Sequence, residues 1–470
     1  MVAHRLGLSV MLLEQGRHPR MAIGESTTPL SNLLLERLAT DYDLPRLAPL
    51  AKWGSWQRAY PQISCGLKRG FTFFHEEDRL LVAASPRDDI ADTHWYREEV
   101  DHFLVMEAQR LGVRYLDCAR IEDLEFTEES ATVVGRAGDQ PFRIKARLLI
   151  DASGPRGFLY RALGLPECAL PGMQATESLY SHFTGVKRTD CSEDTLPYPI
   201  DDAAVHHVFD GGWVWVLRFA NGVTSAGVAA TQAVATELRL SEGEPAWQRL
   251  VDRLPRLRSQ FERAVPCQPF RHTPVVSFRS GVMVGPRWAM LPSAAGFVDP
   301  LLSTGFTLTL KGIERLARIL ASDELPRGLE SYARQTQDEL LDAGRLIGAL
   351  YATMDNFAAF TAVSLLYFAA VSFSETAFRL GKPEIAPGLV LPTAHGLLER
   401  AHVVDGHAAT QAFVEDVRRL IEPFNVGRFG APGLHNCYPV RAEDLLEAGF
   451  KLRASRDEIL AMLEKSRFCG

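Results

Sequence analysis

Residues 291–308 read LPSAAGFVDPLLSTGFTL. A run of small side chains, then Asp299-Pro300 and Ser303-Thr304-Gly305, stands directly before an apolar run with helical spacing. Backbone stripped of side chains can lie close to a flat cofactor, and Gly and Ala provide that. The N–H groups of the first helical turn would face an electron-rich group or an anion. A plainer reading stays open: Ser303 or Thr304 caps the helix, and Pro300 sets the turn before it. A cap accounts for 303–305 and leaves the longer small-residue run unexplained. The pairs His206-His207 and Asp201-Asp202 are weak metal signals. Neighbours on a strand point to opposite faces, so no metal is assigned. The nucleophile-elbow, P-loop and H-E-x-x-H signatures do not occur.

Periodicity identifies the elements that must position this stretch. SVMLLE (9–14) is a short apolar run closed by an acid and Gly16, which predicts a buried parallel strand. Residues 94–111 carry Tyr96, Val100, Phe103, Leu104 and Leu111 at helical spacing. Residues 112–117 and 120–138 read as strands with a turn, and ARLLIDASG (146–154) as another buried strand. Strands alternating with helices predict an α/β sheet. Residues 156–270 read as loop-rich, with one hairpin around Asn221-Gly222, and suggest an antiparallel domain on the substrate side. Residues 273–290 return to strands. Residues 306–322, most of 327–382 and 440–467 read as helices, with a Pro- and Gly-rich stretch at 383–436.

The 470 residues suffice for two or three domains with full cores. A net charge of −7, from 51 basic and 58 acidic residues, disfavours nucleic acid or an anionic membrane as the main partner. The seven cysteines are odd in number and widely spaced, with no C-x-x-C, which argues for free thiols in a reducing, cytoplasmic compartment. No signal peptide is evident. The uncharged run 357–374 is bounded by Asp355 and Glu375 and interrupted by hydroxyl side chains. It reads as a buried or groove-lining helix, with no membrane span expected.

GEST (24–27), LKRGFTFF (67–74), DASG (151–154), WVW (213–215) and AAGFVDPLLSTG (294–305) together resemble the flavin-dependent halogenases, within the FAD-dependent monooxygenase superfamily. The resemblance spans most of residues 9–325, in the family's order. It implies a Rossmann-like, three-layer FAD-binding α/β domain, discontinuous over 1–60, 94–155 and 271–325. It implies an antiparallel β-sheet substrate domain over 61–93 and 156–270, and a helical C-terminal region over 326–470. In the family a strand and a G-x-G-x-x-G loop come first and hold the FAD pyrophosphate. Residues 2–16 match the segment just after that loop, so the sequence is expected to begin about 20 residues late, by the spacing of the motif.

The resemblance assigns roles residue by residue. Glu14 would accept from the adenosine ribose, or else is a surface acid closing a strand. Gly24, Glu25 and Ser26 would form a loop at the flavin edge. Arg97 would reach the flavin's phosphate side, or stand solvated on its helix. Asp299 and the backbone from Pro300 on would lie against the isoalloxazine, and Gly296 would also belong to the cofactor site. The superfamily's Gly-Asp is Pro292-Ser293 here, leaving Ser293 as a weaker ribityl partner. Ser303, Thr304 and Gly305 would bind halide through backbone N–H groups. Lys68 is the expected catalytic residue, receiving hypohalous acid made at the flavin. Apolar surroundings would lower its proton affinity and make a better amine nucleophile. The alternative for Lys68 is a surface lysine beside Arg69. Two departures stand out. Leu302 replaces the Glu that precedes Ser-Thr-Gly in tryptophan halogenases. Arg218 replaces the Pro of W-x-W-x-x-P, so Trp213 and Trp215 read equally well as core aromatics. The expected activity is halogenation of an electron-rich aromatic small molecule with FAD, O2, halide and a separate flavin reductase. The alternatives are an FAD-dependent monooxygenase or reductase, or a non-catalytic binding protein.

Overall fold

The computed structural model describes residues 1–189, 196–322 and 325–466. The strand order in the first part of the chain is β1 (Met11–Leu13), β2 (Cys65–Lys68), β3 (Gly70–His75), β4 (Asp78–Ala83), β5 (Asp92–Trp95), β6 (Arg114–Leu116), β7 (Ala119–Phe126), β8 (Ala131–Ala137), β9 (Gln140–Ala146) and β10 (Leu149–Asp151). The expected parallel sheet consists of two pieces. β1 pairs with β6, and β10 pairs with Trp288–Met290, both parallel. Among the described residues no strand joins the two pieces. β7, β8 and β9 form a separate antiparallel meander. Cys65, Cys118, Cys168 and Cys267 are unbridged thiols, while Cys191 and Cys469 lie outside the described residues.

The second layer is a nine-stranded sheet built on β11 (Thr176–Thr184), β12 (Ala204–Phe209), β13 (Gly212–Arg218) and β14 (Thr224–Thr231). β13 and β14 form the hairpin expected around Asn221-Gly222. β3 and β4 extend this sheet from β12, and Cys437–Tyr438 adds a short parallel strand beyond β4. The loop-rich reading of 156–270 misses three helices, Gln232–Leu238, Glu244–Arg253 and Pro255–Phe261. Each is only two or three turns long. Their apolar residues, among them Trp247, Leu250, Val251, Leu257 and Phe261, are buried against the back of the sheet beside Val214 and Phe183. A stripe that short is hard to tell from loop by periodicity alone, and packing on the sheet stabilises it.

Five helices frame the site: α1 (Pro29–Asp41), α2 (Arg97–Arg110), α3 (Thr304–Leu320), α4 (Leu325–Tyr351) and α5 (Phe357–Arg379). α1 starts cleanly because Thr28 caps it in a reciprocal box with Ser31, and Pro29 occupies its first turn. α5 carries the apolar run noted above. It is long and apolar enough to cross a membrane, and 83% of its most apolar window is buried inside the protein. The main core lies between α4, α5 and the front of the nine-stranded sheet, with Phe73, Trp213, Leu350, Phe360 and Phe368 inside it.

β2 and β5 form a separate two-stranded ladder in which Lys68 stands opposite Asp92. Gly66 holds this ladder against the large sheet: a Cβ there would run into the backbone carbonyl of Arg218, at the end of β13. Gly66→Ala is therefore expected to destabilise the protein by about 1–3 kcal/mol, the usual cost of overpacking. Urea unfolding measures it, and an unchanged midpoint refutes the close approach.

Candidate functional site

The GEST loop runs alongside β5. Trp95 N–H donates to Glu25 O (2.6 Å), and Thr27 N–H donates to Thr93 O (3.1 Å). The Thr27 hydroxyl donates to the same carbonyl (2.8 Å). Arg97 locks the loop from outside. Its Nη1 donates to the carbonyls of Ile23 (3.1 Å) and Gly24 (2.7 Å), while Nε and Nη2 grip the Asp101 carboxylate. Arg97 is thus partly exposed but not free: it braces the turn at Gly24, whose φ of +97° suits glycine. Glu25 turns inward and hydrogen-bonds His182 Nε2 of β11 at 2.7 Å, both side chains being buried.

Lys68 is fully enclosed, with 0% of its surface exposed. The reading of a surface lysine beside Arg69 does not hold. Nζ donates to Ser26 Oγ (2.9 Å) and Thr27 O (2.5 Å) and lies 3.8 Å from the centre of the Phe71 ring. Burial strips water from the ammonium and lowers its pKa to about 7, although the nearby Asp92 favours the charge. Burial pushes the Asp92 carboxyl up to about 7. Asn32 Nδ2 donates to Asp92 Oδ1 (2.7 Å), whereas the enclosed Oδ2 has no partner. Sequence reasoning misses Asp92 and Asn32. Asp92 meets Lys68 only through the β2–β5 register, and no spacing announces that.

At the other wall, Leu302 and Ser303 both adopt left-handed backbone (φ 64° and 55°) just before α3 begins at Thr304. Ser303 occupies the cap position, but no side chain caps the helix. Gly305 is exposed, and a Cβ there would meet nothing within 4 Å. The first turn of α3 therefore opens onto free space. Two tyrosines hold the strained turn. Tyr367 of α5 donates to Leu302 O at 3.0 Å. Tyr351, at the end of α4, donates to Asp299 Oδ2 (3.0 Å) and accepts from Trp213 Nε1 (3.1 Å). Asp299 Oδ1 accepts from Leu301 N–H, and burial raises the Asp299 carboxyl to about 7. Trp213 is thus tied to the 299–305 turn, while Trp215 donates to Ser225 Oγ on the neighbouring strand. A hydrogen bond between Thr28 Oγ1 and Thr307 Oγ1 (3.2 Å) joins the two walls.

The remaining candidates lie elsewhere. Glu14 follows β1 and is held by Gly16 N–H and Arg20. Ser293 sits on the short helix Pro292–Ala295. Gly296 packs against Leu340 of α4, where a Cβ would come within 2.6 Å of a side-chain carbon. Pro300 begins the turn that ends at α3. His206 stacks on Phe73 and His207 on Phe74, on opposite faces of the sheet, and burial lowers their pKa to about 3 and about 4.

Flanking Asp92 is a cleft of about 130 Å³ between α1, the end of β4, α5 and residues 426–445.

The tryptophan halogenase family model matches residues 92–359, more than half of the chain. Tetracycline 7-halogenase of Kitasatospora aureofaciens is 31% identical over 361 residues, covering 72% of this chain and 64% of the relative. Monodechloroaminopyrrolnitrin halogenase PrnC of Pseudomonas fluorescens is 29% identical over 355 residues, covering 71% and 61%. The chain thus spans slightly less than two thirds of the length of these relatives. The structure of halogenase PltM in complex with phloroglucinol and FAD superposes with a TM-score of 0.70 at 22% identity, covering 100% of this chain and 95% of that one. CmlS, a flavin-dependent halogenase, gives a TM-score of 0.62 at 19% identity, covering 89% and 75%. These likenesses show the fold.

The two tyrosines differ in what their hydroxyls satisfy. Tyr351→Phe strands both Asp299 and Trp213, and should cost about 2–4 kcal/mol, while Tyr367→Phe strands one carbonyl, at about 1–2 kcal/mol. Equal losses on denaturant unfolding would contradict the Asp299–Tyr351–Trp213 chain.

Proposed function

The chain belongs to the tryptophan halogenase family of flavin-dependent halogenases, and from this premise we propose that it halogenates an electron-rich aromatic small molecule at Lys68. The observation that carries this reading is the fully enclosed Lys68 amine, held between the GEST loop and the Phe71 ring. The residues present suit a flavin. The uncapped start of α3 faces open space at Gly305, and the adjoining turn offers backbone because the Asp299 side chain is turned to Tyr351. In this reading, Gly24, Glu25 and Ser26 flank the ring edge, Pro300 and the 299–305 backbone lie against the ring, and Ser303, Thr304 and Gly305 hold halide with N–H groups. Ser293, Gly296 and Glu14 belong to the more distant parts of the cofactor site, and Arg97 serves by bracing the Gly24 turn. When bound, FAD supplied in reduced form by a separate reductase provides the two electrons with which O2 and halide become hypohalous acid and water.

Lys68 then does the chain's own chemistry. Its neutral Nζ takes the halogen from hypohalous acid, releasing water and leaving a haloamine. The aromatic ring takes the halogen from nitrogen and returns its own proton, restoring the amine. Burial serves this step in two ways. It favours the uncharged form of Lys68, and it excludes the water that would consume the halogen. Phloroglucinol in the PltM complex is an aromatic of the kind this reading requires.

Turnover with reduced FAD, O2 and bromide should give a brominated aromatic, and Lys68→Met should abolish it while leaving FAD binding within about twofold. A product carrying oxygen but never halogen favours the monooxygenase reading. The reactive form of Lys68 lacks its proton, so halogen transfer should rise about tenfold per pH unit below the amine's lowered pKa and level off above it. A flat single-turnover profile between about pH 5.5 and 9 removes the amine from the mechanism.

A further inference from the structure

We infer that Asp92 is a positioning residue for Lys68: its carboxylate is the counter-charge across the ladder that lets the enclosed amine hold a proton between reaction cycles, and Asn32 clamps that carboxylate to the GEST loop. The inference deepens the halogenase reading and rests on it for the reaction, while the charge pairing itself stands on contacts within the chain.

The pairing begins in the backbone. Lys68 ends β2, Asp92 begins β5, and the register sets them directly opposite each other. Residues so placed share one face of a ladder, with Cβ atoms about 5 Å apart. Both side chains are buried, Lys68 completely and Asp92 to within 5%. Among the described residues, Lys68 Nζ contacts only neutral groups: Ser26 Oγ, Thr27 O and the Phe71 ring. The Asp92 side chain accepts only from the neutral Asn32 amide, and its second oxygen is enclosed without a donor. A lone enclosed charge is costly, and an opposite charge a short way off offsets part of that cost. Where water is excluded, this attraction needs no direct contact.

The other groups nearby leave the pairing intact. On α5, Arg379 is gripped by Glu375 at 2.7 Å, with Glu36 at 3.6 Å, so its charge is already balanced. Arg379 and Glu375 both lie within electrostatic reach of Asp92 and act on it in opposite directions. Tyr367 of the same helix keeps its proton because burial raises its pKa. His94 of β5 and His206 of β12 stand within reach of Lys68, but burial lowers the pKa of both and holds them uncharged near neutral pH. Asp92 is thus the one carboxylate in reach of Lys68 among the described residues.

Asn32 gives the pair its geometry. Its Nδ2 donates to Asp92 Oδ1 (2.7 Å) and to Thr27 Oγ1 (3.1 Å), while Thr27 O accepts from Lys68 Nζ. One amide thereby fixes the carboxylate relative to the loop that holds the amine. Burial alone would leave the amine weakly basic, and the carboxylate restores part of its basicity. Lys68 therefore rests as an ammonium, with no lone pair for the halogen, and reacts once the proton is given up.

The test follows the charge of Lys68 directly. In the FAD-loaded protein, isotope-labelled lysine gives an NMR titration at Cε, and the Lys68 signal is identified by its loss in Lys68→Met. Removing a neighbouring negative charge destabilises the ammonium. Asp92→Asn should therefore move the Lys68 midpoint at least about one pH unit lower, and the rise of halogen transfer with it. Asn32→Ala removes the donor that favours the carboxylate, and should shift both midpoints the same way by less. A merely structural part for Asp92 would alter rates or melting temperature and leave the midpoint in place. An unmoved or raised NMR midpoint in Asp92→Asn overturns the inference, and an unmoved midpoint in Asn32→Ala does so if Asp92→Asn fails to fold. A lowered NMR midpoint with no halogenated product, or with a halogenation profile that stays in place, supports the pairing and counts only against Lys68 as the halogen carrier.

Discussion

The arrangement depends on one buried amine. Lys68 has surrendered its hydration for two oxygen acceptors on the GEST loop, the face of Phe71 and a carboxylate across the ladder. A charge enclosed in this way is costly unless its surroundings are fixed, and here they are fixed from every side. The GEST loop cannot move away because Thr27 and Glu25 are bonded to β5. Its outer turn cannot open without breaking the Arg97 contacts. Gly66 sets the depth of the ladder by admitting the Arg218 carbonyl. Together these contacts keep the amine both dry and stationary.

The second wall solves a related problem with backbone. Two successive left-handed residues, Leu302 and Ser303, are an unfavourable way to begin a helix. They persist because α4 and α5 each contribute a tyrosine hydroxyl, one through Asp299 and one directly to Leu302 O. The outcome is a helix start with no side chain over it. The C-terminal helices thereby act on a turn formed well before them in the chain, as well as enclosing the core.

Much of this was legible in the residues. The small-residue run before α3, the hairpin at Asn221-Gly222 and the apolar helix α5 are all local patterns of composition or alternation, whereas Lys68 was singled out only by the family resemblance. Three short helices in 232–261 were not legible, because each owes its stability to the sheet it packs on. Asp92 and Asn32 were not legible because acid and amide side chains are common and their meaning here comes from facing Lys68 and its neighbourhood.

The sequence by itself determined the types of residue available and the order of the elements, since backbone stripped of side chains, apolar periodicity and turn residues act over a few neighbours. Tertiary structure alone decided which groups share a dry space. Whether Lys68 is a surface cation or an enclosed amine, and whether Asp299 faces a ring or a tyrosine, depends on strands and helices distant in the chain. Burial is a property of the assembled layers, and proton affinity follows burial.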